Sequence, residues 1–169
     1  MRGCGTARAG HLRRSCTGLI DAIMRLSVFT DYSLRVLIQA ALRHHNRVTI
    51  DEVAKAYGIS RNHLIKVINE LGRAGFLVTQ RGRSGGFTLA RPADSISVGD
   101  VVKFGEEDQP IVECFNAERN TCVITPACRL KGVISEARRA FFDVLGKHTI
   151  ADVREKPEAL LRHLGLSAP

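Results

Sequence analysis

From Thr49 to Ala90 the residues follow a pattern that few folds accommodate: two short helical signals around a glycine, then two strand signals around a basic, glycine-rich turn. Thr49 with Glu52 three residues on is a capping-box signature, in which each side chain satisfies the other residue's backbone N–H at a helix start. Val53, Ala54 and Tyr57 continue that helix and Gly58 stops it, because glycine takes the left-handed conformation of a helix end without penalty. Ser60 then caps another helix, with Leu64, Ile65, Val67, Ile68 and Leu71 expected inward and Arg61, Asn62, His63, Lys66, Asn69 and Arg73 on the other side. Two helices joined by so short a turn form a helix-turn-helix. After Gly75, Phe76 to Gln80 predicts a strand, Arg81-Gly82-Arg83-Ser84-Gly85-Gly86 a turn, and Phe87 to Ala90 a second strand before Pro92. A helix-turn-helix followed by such a hairpin is a winged helix.

Charge gives that pattern a chemical meaning. The formal net charge is +8. Residues 24–96 carry eleven Lys and Arg against five acids, while residues 97–169 carry ten against eleven. A basic half beside a near-neutral half suits a chain in which one part meets a polyanion. The first turn of a recognition helix must carry side chains that reach base edges, and Ser60, Arg61, Asn62 and His63 stand there, with Lys66 one turn on for phosphate. At the wing tip, Ser84 and Gly85 allow close approach to a nucleic acid and Arg81 and Arg83 supply charge. Separately, each feature also suits a solvated helix face or an ordinary hairpin; together they favour double-stranded DNA. A nucleotide phosphate loop fits worse, since no Lys-Ser or Lys-Thr pair follows the glycines.

Around this unit the chain divides into segments. Residues 1–23, with scattered Arg and glycine and the cysteines Cys4 and Cys16, predict a flexible extension or an upstream start, too weakly apolar for a secretory signal. The DNA-binding domain spans 24–96. It opens on a helix capped by Thr30 or Asp31, with Tyr32, Leu34, Val36, Leu37, Ile38, Ala40, Ala41 and Leu42 apolar, ending near His44 to Asn46. Residues 97–126 hold a short helix capped by Ser97 and running to Phe104, an acidic turn through Glu106, Glu107 and Asp108 expected to be solvated, and a cysteine loop. Residues 127–148 predict one amphipathic helix, with Leu130, Val133, Ile134, Ala137, Phe141, Val144 and Leu145 on one side. It is read as a dimerisation helix, packing on its own domain being the alternative. Residues 149–169 form a tail with a short helix or two. No apolar run approaches the ~20 residues that span a bilayer, so no membrane partner is expected and the location predicted is cytoplasmic.

Cys114, Cys122 and Cys128 lie in the loop, seven residues separating the first two and five the last two. No helical or strand period puts all three on one face, and a disulfide would leave one unpaired. Thiolates select iron–sulfur clusters, zinc or copper(I), and Asn116, Asn120, Thr121 and Pro126 suit a loop wrapped around a compact group. Buried core cysteines are the bland alternative. Cys4 and Cys16 are left out of this site.

Four stretches carry a resemblance: Met24 to Arg35, Ile59 to Leu64, the wing Arg81 to Gly86, and Ile124 to Leu130. Together they resemble the winged-helix iron–sulfur regulators, and within them the nitric-oxide-sensing repressors, over about Met24 to Val153. The resemblance implies a homodimer that binds a palindromic operator in its cluster-bound form and releases it when nitric oxide attacks the cluster. It also implies that Cys114, Cys122 and Cys128 ligate iron, and that Asp31 from the partner protomer completes a 4Fe-4S site, with 2Fe-2S the other cluster type. The competing role for Asp31 is a helix N-cap. One branch of the family uses a histidine three residues after its third cysteine; Lys131 stands there, which argues against that ligand set. The interval between Cys114 and Cys122 exceeds that of several relatives, so both cluster types stay open.

Two other readings share these residues: a regulator responding to iron or cluster supply, and a winged-helix protein with a structural zinc site. An enzyme would need a convergent acid, base or nucleophile set, and none stands out, so a non-enzyme is expected.

Overall fold

The computed structural model describes residues 25–43, 46–80, 82, 85–107 and 110–166. The expected extension 1–23 and the wing-tip residues Arg81, Arg83 and Ser84 lie outside them. Among the described residues, six α-helices and one hairpin follow in the order α1 (Val28–Leu42), α2 (Ile50–Tyr57), α3 (Arg61–Arg73), β1 (Leu77–Gln80), β2 (Gly86–Leu89), α4 (Val98–Glu106), α5 (Arg129–Gly146) and α6 (Pro157–His163). Short 3-10 turns join several of them. The architecture is the expected one: mainly α with a small β-hairpin wing.

Helix α1 starts earlier than Thr30. Its N-cap is Ser27, whose hydroxyl accepts from the Thr30 N–H, so Thr30 and Asp31 fall inside the first turn and neither caps. Ser27, Thr30 and Asp31 are all good capping types, and composition could not separate them. Val36, Leu37, Ala40, Ala41 and Leu42 of α1 are buried as expected, joined by Thr30, Ser33 and Gln39. The capping box of α2 is complete: Thr49 Oγ1 accepts from the Glu52 N–H, and Glu52 Oε2 accepts from the Thr49 N–H at 2.7 Å. Gly58 ends α2 at φ 65°.

Helix α3 is capped by Ser60 and buries Leu64, Val67, Ile68 and Leu71. Ile65, expected inward, is exposed, because at 3.6 residues per turn it lies to one side of the single stripe formed by Leu64, Val67, Ile68 and Leu71. The wing pairs β1 with β2 antiparallel, from Leu77 opposite Leu89 to Gln80 opposite Gly86. Val48 exchanges two backbone hydrogen bonds with Phe87, at 3.0 and 2.9 Å, and so extends the hairpin. Gly86 permits this approach: a Cβ there would lie 2.7 Å from the Val48 carbonyl oxygen.

One core joins α1, α2, α3, the wing and α4, with Leu37, Leu64, Leu71, Phe87, Ile96, Val101 and Ile150 fully enclosed. The chain leaves it through the cysteine loop and returns along α5. Phe141, Phe142 and Leu145 near the end of α5 pack on the core. There α5 crosses α4 so closely that a Cβ on Gly99 would sit 2.8 Å from the Gly146 nitrogen. Beyond α5 the backbone docks at three points, Val98 N–H to the His148 carbonyl, Ile150 N–H to that of Ile96 and Ala151 N–H to that of Ala93. Arg154 Nη1 then donates to the Ala41 carbonyl at 2.8 Å, at the end of α1.

Candidate nucleic-acid interface and metal centre

Helix α3 presents Arg61, Asn62, His63 and Lys66 to solvent while its opposite side is buried, so the expected base-facing residues lie together on one exposed strip. Arg61 Nη1 pairs with Asp51 Oδ1 in the first turn of α2, a contact between two helices that residue spacing did not reveal. Among the described residues of the wing tip, Gly82 takes φ 112° and the Gly85 N–H donates to its carbonyl at 2.9 Å. A Cβ on Gly85 would lie 2.7 Å from that same carbonyl, so the tip closes only on glycine.

Asp31 is held by Arg35, four residues on, with Nε to Oδ1 at 3.1 Å and Nη2 to Oδ2 at 2.7 Å. The Arg35 guanidinium also lies 6.0 Å from the Tyr32 ring centre and 5.7 Å from that of Tyr57. Burial raises the Tyr57 phenol above its ordinary value, with the Arg35 charge opposing. The Tyr32 ring in turn stands 6.2 Å from the imidazole of His63. A continuous set of contacts thus runs from Asp31 through Arg35 and Tyr32 to the first turn of α3. The Asp31–Arg35 half was legible as an i,i+4 pair; the Tyr32–His63 half joins residues 31 positions apart and was not.

The cysteine loop is built from local hydrogen bonds. Glu113 Oε1 accepts from both the backbone N–H and the hydroxyl of Thr121, which hold its carboxyl below the ordinary range. Asn116 Oδ1 accepts from the Glu118 and Arg119 N–H groups, at 3.0 and 3.2 Å. Asn120 Oδ1 accepts from the Cys122 N–H at 3.2 Å, and the Thr125 hydroxyl lies within hydrogen-bond distance of the Asn120 side chain and the Cys122 carbonyl. These polar residues therefore brace the turns that carry the thiols.

Cys114 sits in a 3-10 turn, Cys122 on the exposed crest, and Cys128 immediately before α5. All three are free thiols, Cys122 exposed and the others half-buried, so they are not core filler. A cleft of about 700 Å³ between loop and helix is lined by Cys114, Asn116, Asn120, Lys131, Ser135 and Arg138. Three free thiols on one segment are a donor set that fits thiolate-held iron. Among the described residues no three His, Cys, Asp or Glu side chains gather tightly enough to hold a single metal ion, so Asp31 and the three cysteines are not preassembled within one chain.

The winged helix and the exposed strip on α3 define a transcription regulator of the helix-turn-helix class. A family profile described as Rrf2, iron-dependent transcriptional regulator, matches residues 26–156, and the chain belongs to that family. It is 46% identical over 142 residues to the HTH-type transcriptional regulator NsrR of Bacillus subtilis, covering 83% of this chain and 97% of that protein. It is 47% identical over 131 residues to NsrR of Bacillus licheniformis, covering 77% and 92%. Among solved structures, oxidised Staphylococcus aureus CymR superposes with a TM-score of 0.61 at 25% identity, over 78% of this chain and 97% of that one. T. potens IscR, at 22% identity and a TM-score of 0.63 over 82% and 92%, shares the fold. The resemblance to winged-helix iron–sulfur regulators is borne out at the level of family and fold. Among the described residues no helix is long and apolar enough to cross a membrane.

Proposed function

We propose that this protein is a homodimeric transcriptional repressor that binds a palindromic operator while it holds an iron–sulfur cluster, and lets go when nitric oxide attacks that cluster. Cys114, Cys122 and Cys128 hold the cluster, with Asp31 of the partner subunit as the fourth ligand and 4Fe-4S the expected type. The cluster supplies iron with which nitric oxide reacts directly, so no catalytic side chain is required.

The observation that carries this reading is the contact path from Asp31 to His63. A carboxylate that turns toward iron gives up Arg35 at least in part, and Arg35 is the cation resting on Tyr32 and Tyr57. Tyr32 is the ring that His63 meets at the start of the base-facing helix. Occupancy of Asp31 therefore biases where Arg61, Asn62 and His63 stand, and two such helices must lie about 34 Å apart to enter successive major grooves. The dimer is supported by α5, which buries no residue and leaves Leu130 and Val133 each 61% exposed on its first turns. A two-fold pairing through that face matches a palindrome.

Operator binding by anaerobically purified protein, before and after stoichiometric nitric oxide, tests the proposal. Tight binding should be lost on addition; unchanged affinity overturns the sensor. The family's description as iron-dependent favours one second reading, a response to iron supply. Under it, chelation of iron during growth releases the operator while nitric oxide leaves it bound.

A further inference from the structure

Glu106, the last residue of α4, is not the solvated acid that its place in the run Glu106-Glu107-Asp108 suggests. Its Oε1 accepts from the Ser27 N–H at 2.8 Å and from the Thr30 hydroxyl at 2.5 Å. The Ser27 hydroxyl lies 2.8 Å from Thr30 Oγ1 and 3.4 Å from the Gly105 carbonyl oxygen. Thr30 is fully buried, and a Cβ on Gly105 would collide with its Oγ1, so glycine is required at 105 on steric grounds. Phe104 packs beside this contact, its ring 5.9 Å from that of Phe29 and 5.8 Å from that of Phe76. An acid at a helix C-terminus is unfavourable for its own helix dipole and favourable at the N-terminus it meets here. The interaction therefore serves the junction of α1 and α4 rather than α4 alone.

We propose that Glu106 is a positioning residue that fastens the root of the cysteine loop to the first turn of α1, and so sets where Asp31 stands. Two facts fix its place. Thr30 precedes Asp31, the start of the contact path to His63. Glu106 begins the segment that reaches Cys114 eight residues later. A change in the loop that pulls on the end of α4 is passed to Asp31 through one carboxylate. This rests on the regulatory reading above.

Backbone amide exchange on the full-length, metal-free protein tests the fastening itself, without any bound group. Glu106→Ala and Thr30→Val are each expected to speed exchange in both 28–35 and 111–116 by at least tenfold, while the interior of α3 keeps its protection. Glu106→Gln, which retains an oxygen acceptor, should restore most of the protection. Faster exchange confined to the last turn of α4, or uniform over the molecule, overturns the proposal.

Operator affinity supplies the second measurement. In the wild type the ratio of loaded to metal-free affinity should be large, and Glu106→Ala should shrink it at least tenfold with the iron content unchanged. An unshrunk ratio overturns the positioning role. A wild-type ratio of one refutes the cluster-gated repressor instead, and the exchange data then still decide whether Glu106 joins loop and helix.

Discussion

Glu52 illustrates how a single side chain serves two ends at once. Burial pushes its carboxyl up, but the hydrogen bonds from the Thr49 backbone and hydroxyl and the Arg43 charge outweigh that and leave it lowered. Because the folded value lies below the ordinary one near 4.5, the stabilisation is complete above that pH and is lost as pH falls through the folded value. Glu52→Gln should therefore flatten the acid limb of a stability–pH curve, measured by urea unfolding between neutral pH and the onset of acid unfolding. Thr49→Ala removes the reciprocal cap and should cost about 0.5–2 kcal/mol in the same assay. Cys122 offers a cleaner separation of stability from function. It is exposed, so Cys122→Ala should unfold within about 0.5 kcal/mol of wild type while losing the visible absorption of anaerobically isolated protein; a retained spectrum would remove it from the ligands.

At the scale of elements, the crossing of α4 over α5 and the face of α3 make opposite demands. The crossing tolerates no added atom. Gly99→Ala forces a methyl onto the Gly146 backbone and should destabilise by about 1–3 kcal/mol, seen as a lower unfolding midpoint without change of secondary structure. Under the proposed function, the face of α3 tolerates substitution in the free protein and shows its cost only on DNA. Arg61→Ala should weaken operator binding by about 1–3 kcal/mol and relax base preference, whereas Lys66→Ala should lower affinity for all sequences and reduce the salt slope by about 1. Binding titrations at several salt concentrations on operator and scrambled duplexes separate the two.

Much of this level was legible in the residues. Thr49, Gly58, Ser60 and Ser97 act locally, within four positions of their partners, and each forms the cap or stop that its type implies. Glu106 and Asp51 escaped notice because their partners lie 76 to 79 and 10 positions away, and an acid beside other acids carries no mark of what it will touch. The same limit applies to the proposed metal centre: three thiols in one loop suit soft-metal chemistry, but where they stand relative to Asp31 depends on packing between separate elements.

For the whole molecule, the unburied helix α5 is the largest unfilled requirement. Its last turns rest on the core through Phe141, Phe142 and Leu145, while Leu130 and Val133 remain outside. Ile111, Val123 and Ile124 add exposed apolar surface from the preceding loop, Val123 at 91%. Leaving this area in water forgoes roughly 25 cal/mol for every Å² that a second copy would cover. The double variant Leu130→Asp, Val133→Asp should sediment as a folded monomer and lose operator binding, and a dimer that persists would move the interface elsewhere.

The two fastenings of α1 have a consequence for how the chain is made. Its first turn waits for Glu106 and its last carbonyls for Arg154, partners 76 and 113 residues downstream. At a synthesis rate of about 5–20 residues per second, the second partner follows roughly 6–23 s after the helix itself. This helix is thus fully fastened only after α5 has been made, and until then its ends are open to whatever else is nearby, including the same helix of a neighbouring nascent chain.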